Sequence, residues 1–142
     1  GVNSRLDVLH AAVLLYRMGR LSGVIEKRKK NVNSYRQLIQ AKEVYIPPCK
    51  PHEQNAFVMF LIQAQRRDEL KEFLEKRGIQ TLVYYAKALH LQPAAKRYNY
   101  KRGDFPVAEK QADEVLALPH HQYLTNEQIE FVSKSINEFY QS

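Results

Sequence analysis

Residues 6–18 are apolar at Leu6, Val8, Leu9, Ala11, Ala12, Val13, Leu14, Leu15 and Met18, interrupted only by Asp7, His10, Tyr16 and Arg17. A surface helix keeps its apolar residues on one stripe with a period of about 3.6, and a helix apolar nearly all round calls for cover from several directions. This helix is therefore expected to be buried on more than one side. The run carries charges and is shorter than the roughly 20 residues a membrane span needs. Two glycines and a serine in residues 19–23 predict a bend. Residues 24–40 predict an amphipathic helix through Val24, Ile25, Arg28, Val32, Tyr35, Leu38 and Ile39, with Glu26, Lys27, Arg28, Lys29 and Lys30 on its outer face.

Val44-Tyr-Ile-Pro-Pro predicts a short strand stopped by prolines, which cannot donate to a ladder. Residues 49–54 read as a loop. The continuous apolar run within residues 55–63 predicts a central strand buried on both faces. Residues 66–77 predict an amphipathic helix with Leu70, Phe73 and Leu74 inward and Gly78 as its stop. Residues 79–85 read as a further strand and residues 86–104 as irregular, crowded with Tyr98, Tyr100, His90, Gln92, Asn99, Lys101 and Arg102. Loops of that composition either hold ligands or are pinned by their own tyrosines. Pro106 opens a helix to about Glu114, and Val115-Leu-Ala-Leu-Pro is a short strand. Thr125-Asn-Glu-Gln128 is a capping box opening a last helix through Ile129, Val132, Ile136 and Phe139. Three or four strands with helices on one face make an α+β layer.

Composition narrows the class. The chain has 142 residues, 44% hydrophobic and 26% charged, enough for one globular core. It opens on Gly1 without a signal peptide, as a processed or truncated product would. One cysteine, Cys49, excludes an intrachain disulfide and a cysteine-based zinc cluster, and fits a reducing, cytoplasmic compartment. A net charge of +7 leaves nucleic acid, a phosphorylated small molecule and an anionic membrane surface open, or no anionic partner at all. No Gly-rich phosphate loop, nucleophile elbow or histidine pair at metal-ligand spacing is present, and His120-His121 are adjacent and point apart on a strand. No nucleophile or general base can be chosen on these grounds.

Five motifs in order carry a resemblance. Gly1-Val-Asn-Ser-Arg-Leu with Ala11-Ala12, Arg67-Asp-Glu-Leu with Arg77-Gly-Ile, Tyr85 with Leu89-His-Leu-Gln-Pro93, Gly103-Asp-Phe-Pro-Val-Ala-Glu109, and Leu118-Pro119 with Leu124-Thr-x-x-Gln128 resemble the pyridoxal-phosphate-dependent nucleotide-sugar aminotransferases of the DegT/DnrJ/EryC1/StrS family. The resemblance runs from end to end. It implies the small C-terminal domain of a fold-type-I transferase: a mainly antiparallel sheet of 3–4 strands packed by helices and preceded by a long helical segment. Residues 1–41 would link to a large domain carrying the Schiff-base lysine, and residues 42–142 would form the small domain.

The resemblance further implies an enzyme that moves an amino group from glutamate or glutamine to a keto sugar on a nucleoside diphosphate, with pyridoxal 5'-phosphate as cofactor. Its homodimer would be built through the N-terminal helix, with no nucleic acid, membrane or metal involved. This chain would then hold no catalytic residue and be inactive alone. Asn3 matches the asparagine that reaches the cofactor phosphate of the partner subunit, where an amide before a helix favours anions; otherwise it is a neighbour of the N-cap. Arg5, Tyr84 and His90 match the substrate side of the cleft. Arg5 is alternatively an ion-pairing residue, and His90 a satisfied loop histidine. Tyr84-Tyr85-Ala86 stands where the family often has His-Tyr-Pro, and Lys87-Ala88 replaces a residue-proline pair, so this loop is expected to be less rigid. The rival reading is a non-catalytic basic α+β domain for interaction or nucleic-acid binding, with the basic helix face as its feature.

Overall fold

The computed structural model describes residues 6–50 and 52–141. Asn3 and Arg5 lie outside the described residues. Helices α1 (Val8–Met18) and α2 (Leu21–Leu38) lead into β1 (Val44–Tyr45), β2 (Phe60–Ala64) and α3 (Arg67–Lys76). Two 3-10 turns, Leu89–Leu91 and Pro93–Tyr98, precede α4 (Pro106–Glu114), β3 (Val115–Leu118) and α5 (Asn126–Gln141). The strands form one antiparallel sheet in the order β1-β2-β3, with Val44 opposite Ala64 and Phe60 opposite Leu118. The fold is α+β, as the order of elements predicts.

The central strand is shorter than its apolar run. Phe57 sits in the left-handed region at φ 47°, Val58 and Met59 are exposed, and pairing starts only at Phe60. Along β2, Phe60, Ile62 and Ala64 are buried and Leu61 and Gln63 half-buried, so only one face is sealed. That face meets Val32, Tyr35 and Ile39 of the α2 region, Leu70 and Leu74 of α3, and Ile129, Val132, Ile136 and Phe139 of α5 in one core. The period-2 strand pattern and the 3.6-period helix patterns thus converge on one layer. Residues 79–85 do not form the expected strand. Only Leu82 bridges Ala117, while Ile79 and Thr81 are buried beside it.

Local signals are realised closely. The α3 helix ends in a Schellman motif: the Gly78 N–H donates to the Glu75 carbonyl at 2.9 Å and the Ile79 N–H to the Leu74 carbonyl at 2.9 Å. Gly78 takes φ 76°, where a side chain would be strained. The Thr125 N–H donates to Gln128 Oε1 at 3.0 Å and the Gln128 N–H to Thr125 Oγ1 at 3.3 Å, a reciprocal capping box.

The first helix departs from expectation. Asp7 caps α1 by accepting the His10 N–H at 2.9 Å, yet no residue of α1 is buried. Leu9 is 80% exposed and Leu15 70%. The cover this helix calls for is not supplied by the described residues. No single helix among them is long and apolar enough to cross a membrane.

Candidate functional site

The second face of the sheet, with Leu61 and Gln63, opens onto a cleft of about 510 Å³ whose far wall is Ala108 and Ala112 of α4 and whose rim is Tyr84, Tyr85 and Leu89. The 3-10 turns and the segment leading to α4 are drawn over this side by one buried carboxylate. Glu109, 7% exposed in the first turn of α4, accepts the Gly103 N–H on both oxygens at 2.8 and 3.0 Å and the Phe105 N–H at 3.4 Å. It also meets His90 Nε2 at 3.0 Å. A carboxylate only accepts, so His90 carries its proton on Nε2. Pro106 at the first helical position sacrifices a donor that would be unpaired there anyway, and Glu109 reaches back to the N–H groups of Phe105, at the N-cap, and Gly103 before it.

Burial pushes the Glu109 carboxyl up, but the Gly103 and Phe105 N–H groups and His90 outweigh it and hold the carboxyl below its ordinary value. A depressed carboxyl stabilises the fold above its unfolded pKa, and that contribution is lost as pH falls through the folded one. Protection of the Gly103 amide from hydrogen exchange, corrected for intrinsic rate, is therefore expected to fall below the ordinary carboxylate range. Glu109→Gln is expected to lower it already at neutral pH. Equal protection in both proteins would contradict this role.

His90 and Tyr84 are not brought into one pocket. The His90 side chain is buried against Glu109 and packs on Phe105, ring centroids 4.8 Å apart, and it lines a separate apolar cavity of about 340 Å³. That cavity and the 510 Å³ cleft share Leu89 and Ala108 as a common wall. Tyr84 is half-buried and stands between the 510 Å³ cleft and a larger one of about 710 Å³. The satisfied histidine and the cleft-lining histidine are thus the same residue: Nε2 is taken by Glu109 while the ring borders a cavity. Sequence reading gave Glu109 no role; its signal was an acidic residue in the first helical turn after proline.

The larger cleft is lined by Phe60, Leu82, Tyr84, His120, Gln128 and Phe131, among others. His120 lies against Phe60 at 5.9 Å and Phe57 at 6.4 Å between ring centroids. Burial first, then the nearby Arg28 and His121, lower its pKa from 6.5 to about 4, against a weaker opposite pull from the Phe57 backbone. A histidine depressed in the fold resists the proton that the unfolded chain accepts, so stability falls from about pH 6.5 down to about pH 4. The loss is at most about 3 kcal/mol, reduced by the part of the ring open to water. In His120→Phe this portion of the acid-unfolding curve is expected to flatten, and an unchanged slope would refute it.

A buried arginine joins α3 to α4. Arg67, 6% exposed, donates through Nη1 to the Ala112 carbonyl at 3.2 Å and the Val115 carbonyl at 2.9 Å, and through Nε to Asp68 at 2.6 Å. It satisfies carbonyls that the end of α4 leaves without helical partners. The basic run on α2 is divided: Lys27, Lys29 and Lys30 are exposed, whereas Arg28 is half-buried and reaches Gln122 at 3.4 Å.

Comparison with known proteins places this arrangement. A protein named pleiotropic regulatory protein from Geobacillus stearothermophilus is 40% identical over 143 residues, covering 99% of this chain and 38% of its own length. The dTDP-3-amino-3,4,6-trideoxy-alpha-D-glucose transaminase of Streptomyces venezuelae is 34% identical, covering 98% of this chain and 37% of its own length. Among solved structures, DesV of S. venezuelae superposes on the whole chain with a TM-score of 0.92 at 32% identity, using 38% of its own chain. A DegT/DnrJ/EryC1/StrS aminotransferase from Brucella abortus does so with a TM-score of 0.88 at 34% identity. The chain thus spans about 38% of the length of the relatives it matches. The family model covers residues 1–137, and the chain belongs to the DegT/DnrJ/EryC1/StrS aminotransferase family.

Proposed function

We propose that this chain is the C-terminal part of a pyridoxal-phosphate-dependent aminotransferase that transfers an amino group from glutamate or glutamine to a nucleotide-linked keto sugar. Residues 1–41 link it to a lysine-bearing large domain, and residues 42–142 form the small domain. The observation that carries this reading is α1: a helix with no buried residue, in a chain that matches little over a third of its relatives' length, lacks its cover. That cover is the large domain and a second subunit, which meet on α1 in a homodimer. Large exposed apolar surfaces mark such interfaces.

Pyridoxal phosphate supplies the electron sink when bound, and the protein supplies orientation and electrostatics. The N–H groups of the two left-handed glycines, Gly78 and Gly103, are taken by Glu75 and Glu109 and are not free for its phosphate. Nor do the described residues offer a desolvated lysine of the kind a Schiff base uses. Eleven of the twelve lysines are exposed, and the half-buried Lys71 pairs with Glu75 at 3.7 Å. The part this chain plays toward the cofactor falls to Asn3, across the dimer. Its part toward the substrate falls to Arg5, to Tyr84 between the two larger clefts, and to His90 on the apolar cavity. Alone, the chain is inactive.

Joining the chain to the large domain of the S. venezuelae transaminase tests this. Amino transfer to a dTDP-linked keto sugar is expected from the chimera and none from the chain alone. A chimera that folds, binds pyridoxal phosphate and transfers nothing would refute the reading.

A further inference from the structure

We propose that Glu109 is a positioning residue for His90: it fixes the imidazole with Nδ1 bare, as a hydrogen-bond acceptor on the 340 Å³ cavity. The assignment rests on the reading above, in which His90 serves the substrate of a sugar aminotransferase. The two side chains shield each other, His90 8% and Glu109 9% exposed, with Nε2 and Oε1 3.0 Å apart. Glu109 has no freedom to turn away, because the Gly103 N–H engages both of its oxygens and the Phe105 N–H one of them. Arg102 does not draw it off either. Its Nε stands 3.9 Å from Oε2, but the side chain is 68% exposed and bonds Asp113 at 2.7 Å.

An ionised carboxylate has no proton to give, so the one between the pair sits on Nε2. In the neutral ring the other nitrogen then keeps its lone pair, and the partner of one nitrogen sets the role of the other. Nδ1 meets no donor among the described residues. The ring is also held in place. It packs on Phe105 at 4.8 Å and 55°, and its 3-10 turn is closed by the Leu91 N–H on the Ala88 carbonyl at 3.0 Å and the Gln92 N–H on the Leu89 carbonyl at 3.2 Å.

The walls select what this acceptor meets. Beside His90 the cavity is lined by Leu89, Ala95, Tyr98, Tyr100, Phe105 and Ala108, with no lysine, arginine or carboxylate among them. A phosphate, or the carboxylates of an amino-acid donor, would find no cation there and would face a lone pair. An uncharged O–H finds its acceptor. The chemistry fits a hydroxyl on the sugar, and leaves the amino donor to other residues. Glu109 touches neither; it acts through His90.

Two measurements test this. The first is 15N-resolved NMR of the histidine rings of the 142-residue chain at about pH 8, above the ordinary histidine range. His90 is expected to show an unprotonated Nδ1 and an Nε2–H proton sheltered from exchange. Glu109→Gln, which keeps an acceptor oxygen, is expected to retain that proton signal, and Glu109→Leu to lose it to solvent. A proton on Nδ1 in the wild type, or an Nε2–H equally sheltered in Glu109→Leu, would overturn the proposal.

The second uses the chimera with the S. venezuelae large domain and follows the two half-reactions apart. His90→Phe keeps the ring against Phe105 and lacks the acceptor. It is expected to lower kcat/KM for the keto sugar about five- to tenfold, the worth of one hydrogen bond, and to leave the glutamate half-reaction unchanged. Glu109→Leu is expected to match it, the double variant to add nothing further, and Glu109→Gln to restore most of the loss. Equal losses in both half-reactions, or an unchanged keto-sugar half-reaction in His90→Phe, would also overturn it. A wild-type chimera that transfers nothing would remove the aminotransferase reading, while the ring signals would still report whether Glu109 sets the His90 proton.

Discussion

Tyr35→Ala is expected to cost the fold about 4 kcal/mol, a loss typical of emptying a large aromatic site. Tyr35 is fully buried where α2 meets the sheet, and its ring stacks on Phe60 with centroids 5.2 Å apart and planes 19° from parallel. Its hydroxyl donates to the Pro119 carbonyl at 2.9 Å, and burial pushes the phenol pKa up. Alanine would leave a cavity among Val32, Phe60 and the α5 side chains, and an unserved carbonyl just after β3. The contributions separate through Tyr35→Phe, which keeps the ring and loses only the hydrogen bond, at about 1 to 2 kcal/mol. Equilibrium urea unfolding of the three proteins measures both. An alanine variant within 1 kcal/mol of the wild type would show that α2 is not anchored through this residue.

Arg67→Ala is expected to cost about 3 kcal/mol, by a different mechanism. The side chain is buried at the start of α3 and serves the Ala112 and Val115 carbonyls, 45 and 48 residues away in sequence. Removing it strands the buried Ala112 carbonyl and the partly buried Val115 carbonyl where α4 turns into β3. Lysine does not rescue the site, because Nη1 serves both carbonyls while Nε holds Asp68, and a single ammonium cannot occupy both positions at once. Unfolding midpoints should therefore place Arg67→Lys near Arg67→Ala. A lysine variant as stable as the wild type would mean that charge alone suffices there.

Elements written in local chemistry were legible in the sequence. The Gly78 stop, the Thr125–Gln128 box and the apolar stripes of α3 and α5 each depend on residues within a turn or two of one another. What failed depends on distant chain. Residues 79–85 have strand composition, but only Leu82 finds a partner, because a strand needs a neighbour along its length. The apolar run at residues 55–63 loses its first half to the left-handed Phe57, leaving Val58 and Met59 exposed. The Glu109 cluster links residues 6 and 19 positions apart, and no periodicity announces it. The α1 helix is the reverse case: its pattern asks for cover that the described residues do not provide.

Of the proposed site, Tyr84 and His90 were found through the family motifs and not through their own chemistry. They occupy neighbouring cavities, and the buried carboxylate that organises the segment between them went unassigned. Asn3 and Arg5 rest on the family motif alone.

The central claim is that this chain completes a sugar aminotransferase by covering α1 with a large domain and a second subunit. The most direct test measures amino transfer by the chimera with the S. venezuelae large domain, alongside the same chimera bearing Leu9→Glu and Leu15→Glu on α1. Transfer by the first and loss of both dimer and activity in the second are expected. Full activity with both glutamates in place would contradict the claim.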